Sequence, residues 1–238
     1  MSQASARVAL VTGAARGIGA AIAARLARDG LRVVIADRER ALHPPHGARA
    51  VLCDVSDEAA VTGLIHGVGT AEGRLDVLVC NAGIGIRKPI AALSLAEWSS
   101  VIGTNLTATF LLVRAAETLL RTAKGAVVTI ASTRAQMSEA DTEAYAASKG
   151  GLVALTHALA ISLAPDVRVN CISPGWIATK GDPPRASDHA FHPAGRVGVP
   201  DDVAALAAFL AGPESRFISG AEFIVDGGVT RKMIYPDA

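Results

Sequence analysis

The 238-residue sequence predicts a doubly wound α/β fold, a three-layer sandwich around a seven-stranded parallel sheet. Three observations predict it. Short aliphatic runs alternate with longer helical patterns along the chain. Those runs lack polar alternation, as strands covered on both faces do. The first run also passes straight into a glycine-rich turn that opens an alanine-rich helix.

Strands are expected at 7–12, 32–36, 50–53, 75–80, 125–131, 167–172 and 221–225. Helical stretches are expected at 17–29, 57–71, 95–122, 143–163 and 200–211. Ser94 and Glu97 have the spacing of a capping box and open the third of these. Gly103 and Asn105 interrupt that stretch, which predicts two helices there. Two segments are irregular. Residues 43–47 carry two prolines and a glycine and read as a surface turn. Residues 179–195 hold Pro183, Pro184, Pro193, His189 and His192 without clear periodicity. A loop of that length in a compact domain is usually functional, so 179–196 is the expected substrate lid. No repeat or composition break marks a second domain, and 1–238 is expected to form one.

Composition narrows the function classes. Half the residues are hydrophobic and 19% are charged, enough apolar material for a large core and too much for general disorder. The 23 basic and 22 acidic side chains leave a net charge of +1, which predicts no binding to nucleic acid or an anionic membrane. No apolar stretch approaches the ~18 residues of a membrane span. The N-terminus lacks a secretion signal. Cys53, Cys80 and Cys171 are an odd number, each in or beside an apolar run. They read as reduced core thiols of a cytoplasmic protein.

The glycines after the first strand fall at Gly13, Gly17 and Gly19. Glycines there let the backbone turn tightly and approach a pyrophosphate at a helix N-terminus. Arg16 and Ile18 belong to the same loop. The second strand ends at Asp37, eighteen residues past Gly19, close to the ~20-residue spacing of an acid that binds the adenosine ribose. Such an acid repels a 2′-phosphate and favours NAD over NADP. Arg16 and Arg38 point the other way if they clamp a phosphate; otherwise they are solvated surface charges.

Tyr145 and Lys149 stand at i and i+4 on one helical face. A phenol of pKa ~10 is a poor base at neutral pH, and a nearby ammonium together with an oxidised nicotinamide would favour phenolate. Alone, the pair could be an ordinary surface pair. Ser132 changes the weighing. It lies thirteen residues upstream of Tyr145, at the end of the fifth expected strand, where open α/β sheets bind ligands.

The segments TGAARGIG (12–19), CDV (53–55), CNAG (80–83), Asn105, Ser132, YAASK (145–149), PGWIAT (174–179) and VDGG (225–228) occur in this order. Together they make the chain resemble a short-chain dehydrogenase/reductase of the compact, Rossmann-type kind, from residue 8 to residue 228. The resemblance implies that Asp54 and Val55 contact the adenine end and that Asn81, Ala82 and Gly83 line the adenosine side. It implies Tyr145 as general acid/base, Ser132 as the residue that orients substrate, and Lys149 as the holder of the nicotinamide ribose. Asn105 would support a water-linked proton relay to Lys149. Pro174, Gly175, Ile177 and Thr179 would frame the nicotinamide. Cys80 departs from the family, which commonly has asparagine there. The four-residue step from Tyr145 to Lys149 argues against the enoyl reductase branch, which spaces the pair more widely.

The expected activity is interconversion of a secondary alcohol and a ketone with NAD, or with NADP. A nucleotide-sensing protein without turnover is the alternative, which the presence of Ser132, Tyr145, Lys149 and Asn105 together disfavours. Trp176 is either buried packing or a substrate contact. His189 and His192 lack a convincing metal-ligand set, so no metal is expected and the pair reads as solvated or substrate-facing. Asn105 opens a glycosylation sequon that a chain without a secretion signal does not use. Ala146, Ala147, Gly150, Gly151 and Ala154 give the Tyr145 helix a small face, and with the resemblance they imply a homo-oligomer, a tetramer or dimer. The tail from Met233 to Tyr235 is expected to dock on a neighbouring copy.

Overall fold

A computed structural model describes residues 6–179 and 183–233. Ile234 and Tyr235 of the tail, and positions 180–182 of the expected lid, lie outside the described residues.

Seven strands, β1 (Val8–Thr12), β2 (Arg32–Asp37), β3 (Arg49–Leu52), β4 (Val77–Cys80), β5 (Ala126–Ile130), β6 (Arg168–Pro174) and β7 (Glu222–Val225), form one sheet. Their order is β3-β2-β1-β4-β5-β6-β7, and every pairing is parallel. The strand order reverses between β1 and β4, which opens a crevice at the carboxyl ends of those strands.

Helices α1 (Gly17–Arg28), α2 (Glu58–Glu72), α3 (Leu95–Ile102), α4 (Ala108–Ala123), α5 (Glu143–Ser162), α6 (Ala186–Phe191) and α7 (Pro200–Ala211) accompany the sheet. Strand alternation sends successive side chains to opposite layers. Val8 and Leu10 of β1 join Leu78 of β4 in a cluster with Leu64, Leu112 and Leu120 from α2 and α4. Ala9 and Val11 join Val77 and Val79 in the opposite cluster, with Ile22, Leu26, Val203 and Leu210 from α1 and α7. All fourteen of these side chains are at most 4% exposed, which explains why the central strands read as unbroken apolar runs.

Local signals behave as physical chemistry requires. Ser94 Oγ accepts a hydrogen bond from Glu97 N (3.2 Å), and the Glu97 carboxylate accepts one from Ser94 N (2.9 Å), completing the capping box. Asp57 caps α2 by accepting from Ala59 N and Ala60 N at 2.8 and 3.1 Å. Away from the crevice, Asp76 ties the centre of the sheet. Its carboxylate accepts from Val8 N at 2.8 Å and pairs with Arg74. Its own N–H donates to Val8 O, and Ala126 N donates to its carbonyl, both at 2.9 Å.

One expectation is met in an unforeseen form and one needs correction. The stretch 95–122 forms the two expected helices, α3 and α4, but no break lies between them. Residues Gly103–Thr107 form a π-helical turn that joins α3 to α4 without a loop, because one wider turn accommodates Gly103 and Asn105 while the backbone stays hydrogen-bonded. The segment 179–195 is not wholly irregular. It contains α6, six residues long, too short to leave a periodic pattern.

Candidate functional site

The glycine loop crosses the top of the crevice. Gly13 has φ +63°, and a Cβ on it would stand 2.6 Å from Ala82 Cα. A Cβ on Gly19 would lie 2.3 Å from Gly13 O and 2.5 Å from Asn81 Nδ2. Asn81 holds the loop down by donating to Thr12 O and Gly13 O at 3.0 and 2.9 Å. Only backbone fits here, so the chain turns flat onto the ends of β1 and β4.

Helix α1 starts directly after this turn. Arg16 at its N-cap makes no capping hydrogen bond, and its first turn carries no acid. Its leading N–H groups and the positive end of its dipole therefore have no side-chain partner, the arrangement that suits a phosphate anion. A Cβ on Gly17 would meet Thr179 Cγ2 at 3.4 Å, so Thr179 closes the crevice from the far side.

The crevice holds a cavity of about 310 Å³. Of the residues expected at a cofactor, Gly13, Arg16, Gly17, Ile18, Asp37, Arg38, Asp54, Val55, Asn81, Ala82, Gly83 and Thr179 line it. Gly19 stands behind the loop. Pro174, Gly175 and Ile177 do not line this cavity. Gly175 N donates to Val225 O at 2.9 Å, and Ile177 bridges to Gly198, so this stretch forms the adjoining wall. Cys53, expected as a core thiol, also lines the cavity, as do Glu39, Ile84 and Thr104, which the sequence did not single out.

The β2 end of the crevice is braced by acids. One Asp37 oxygen accepts from Ala15 N at 2.9 Å and the other from Glu39 N at 3.0 Å. Hydrogen bonds from Ser56 hold the Asp54 carboxyl below the usual range. Arg16 is an exposed surface charge rather than a free clamp: its guanidinium is paired with Glu39. Glu39 follows Asp37 by two residues, but no spacing rule links it to the loop 23 residues away.

Ser132, Tyr145 and Lys149 meet beside the crevice, past the end of β5. Burial pushes the Tyr145 phenol up, while the Ser132 side chain and the charge of Arg134 pull it down. Lys149 is buried. Its Nζ donates to Ile130 O at 2.8 Å and lies 5.5 Å from the centre of the Tyr145 ring. Burial lowers its pKa from 10.5 to about 8. The neighbouring cation that acts on the phenol in the free chain is Arg134, which the sequence reading missed. Its nearness to Ser132 was the available signal.

Asn105 sits in the π-helical turn. Its Oδ1 accepts from Ile84 N at 2.8 Å, and its Nδ2 donates to Ile84 O and Ser148 Oγ at 2.9 and 3.0 Å. These bonds brace the loop after β4. Gly83 is the meeting point, since a Cβ there would lie 3.3 Å from Asn105 Oδ1 and 3.5 Å from Lys149 Nζ.

On the outer wall Trp176 is 50% exposed, its ring 6.1 Å from that of His192. His192 is buried, not solvated or open to substrate as expected: Nδ1 bonds Asp188 O at 2.7 Å and the ring meets Phe191 edge-on. His189 Nδ1 accepts from Val197 N at 3.2 Å. No group of metal-ligating side chains occurs among the described residues. Nor is any described helix long and apolar enough to cross a membrane. Cys53, Cys80 and Cys171 are buried and unpaired, and burial pushes Cys80 up to about 12.

Residues 13–230 match a family model described as enoyl-(acyl carrier protein) reductase. The chain is 46% identical to an uncharacterised oxidoreductase of Thermotoga maritima, over 97% of this chain and 98% of that protein. It is 39% identical to the D-threitol dehydrogenase of Mycolicibacterium smegmatis, over 95% and 94% of the two chains. Among solved structures it superposes on the 3-ketoacyl-(acyl-carrier-protein) reductase of Brucella melitensis complexed with NADH, with a TM-score of 0.88. That match has 33% identity and covers 94% of this chain and 98% of the other. The chain belongs to the short-chain dehydrogenase/reductase family and is an NAD(P)-dependent oxidoreductase.

Proposed function

We propose that the protein interconverts a secondary alcohol and a ketone, with Ser132, Tyr145 and Lys149 at the reacting centre. The observation that carries this reading is the buried Lys149 ammonium 5.5 Å from the Tyr145 ring centre, with Ser132 acting on the same phenol. The four-residue step from Tyr145 to Lys149 favours alcohol chemistry over enoyl reduction.

A bound nicotinamide dinucleotide supplies the hydride acceptor or donor. The glycine loop and the α1 N-terminus would hold its pyrophosphate, Asp37 its adenosine ribose, and Asp54 and Val55 its adenine. Asn81, Ala82, Gly83, Pro174, Gly175, Ile177 and Thr179 would frame the rest. Ser132 Oγ holds the substrate oxygen. In oxidation the Tyr145 phenolate takes the hydroxyl proton; in reduction the phenol returns it to the carbonyl oxygen. Lys149 positions the ribose, and Asn105 keeps the loop around Ile84 in place. NAD is the preferred dinucleotide, because Asp37 is braced for a ribose and Glu39 neutralises the arginine that would take a 2′-phosphate.

The same reading makes 1–238 one domain with 179–196 as its substrate lid, Trp176 contacting substrate. Three unpaired thiols favour a cytoplasmic setting. The small, partly exposed face of α5 favours a homo-oligomer.

The test is turnover of secondary alcohols with NAD by wild type and Tyr145→Phe, beside NADH titration followed by nicotinamide fluorescence. Turnover should drop by about 10²–10⁴-fold while NADH binding persists. Near wild-type turnover in the variant overturns the reading.

A further inference from the structure

Two arginines from distant segments converge at the mouth of the site on a single acid. Arg87 Nη1 lies 3.3 Å from one Glu139 oxygen, and Arg134 pairs with the other. Both arginines lie on segments that flank Tyr145. Arg134 is two residues past Ser132, its N–H donates to Ser132 Oγ at 3.2 Å, and its charge reaches the Tyr145 phenol. Arg87 is two residues past Gly85, where a Cβ would lie 3.6 Å from Tyr145 Cδ2. The walls are joined as well: Lys88 N donates to Asp141 O at 3.0 Å.

Each guanidinium offers five N–H donors in a fork suited to an oxyanion, and one carboxylate balances only one of two positive charges. The neighbouring cation Lys88 already has Glu97 at 2.8 Å. Of the nearby acids, Glu143 is exposed in the first turn of α5, where the helix dipole takes its charge. The Arg134 side chain is only 25% exposed, against 51% for Glu139. The arginine is fixed beside the reacting centre, and the acid is the member a ligand can displace.

We propose that Arg87 and Arg134 form an oxyanion subsite and that the substrate is an alcohol or ketone carrying an anionic group, foremost a hydroxy or keto acid. The inference rests on the alcohol–ketone reading. Oxidation would leave the anionic group untouched: the carbinol C–H leaves as hydride to the nicotinamide and the O–H proton goes to Tyr145.

The experiment compares charged and neutral members of matched pairs, 3-hydroxybutyrate with its methyl ester and glycerol 3-phosphate with glycerol. Two readouts are taken: kcat/KM with NAD, and the change in nicotinamide fluorescence when each compound is added to the NADH complex. At least one charged member should be preferred by about tenfold or more, and Arg134→Gln and Arg87→Gln should bring that ratio close to one. Because Arg87 is 65% exposed, its substitution tests the subsite without disturbing the core. Turnover without charge preference overturns the subsite and leaves the alcohol–ketone reading standing. Charge-dependent fluorescence without any turnover supports the subsite and removes that reading. Fluorescence that responds to neither anion, or a preference that survives both substitutions, overturns the subsite.

Discussion

The two sides of the crevice are built differently. Where the glycine loop meets the ends of β1 and β4 the surface is backbone: Gly13 and Gly19 leave no room for a Cβ, and Asn81 pins the turn by two carbonyls. On the β5–β6 side it is side chain, with Ser132, Arg134, Tyr145 and Lys149 converging from a strand end and a helix. A surface of peptide groups can be recognised from glycine spacing alone. A surface of side chains depends on which distant segments meet, as Arg87 and Glu139 do across 52 residues.

The strongest probe of the side-chain half is its buried lysine. Unfolded, Lys149 titrates near 10.5; folded, near 8. Between those values the unfolded chain holds a proton that the folded chain has lost, so its contribution to stability rises with pH across that window and is least below it. Wild type should therefore gain stability relative to Lys149→Met as pH rises from about 8 to about 10.5, with a slope approaching ~1.4 kcal/mol per unit. Urea unfolding at a series of pH values checks this; a constant difference would mean that Lys149 does not titrate there.

On the backbone half, Gly19→Ala forces a methyl group against Gly13 O and Asn81. A loss of about 1–3 kcal/mol, with weakened NADH binding, is expected from urea unfolding and fluorescence titration. Unchanged values would show that the loop yields and is not the rigid half.

The smallest effect sharpens the border between the halves. Glu39→Gln releases Arg16 from an exposed, solvent-screened pair, so NADPH affinity relative to NADH should rise by about fivefold or less. Parallel titrations read it, and an unchanged ratio would return the discrimination to Asp37 alone.

What the sequence disclosed follows the same division. Strands β1, β2, β4, β5 and β6 were legible because both faces are buried, and the Ser94–Glu97 cap because its geometry is local. Helix α6 was not, since six residues between prolines show no period. The burial of His192 was also hidden: a polar ring is drawn inside by Trp176, Phe191 and the Asp188 carbonyl. The Arg16–Glu39 pair and the Arg87–Glu139–Arg134 cluster are tertiary facts that no spacing encodes. Ser132, Tyr145 and Lys149 were visible because two lie on one helix and the third ends a readable strand.

Asp76 gives the sheet two clocks. Its carboxylate and backbone hold β1 and the start of β5 at the end away from the crevice, among fully buried apolar neighbours such as Leu75 and Leu78. The amides of Val8, Asp76 and Ala126 should exchange with solvent only when the whole molecule unfolds. Under the proposed mechanism the chemistry takes place at the other rim, so movement of the loops there would not draw on the bonds that keep this rim shut.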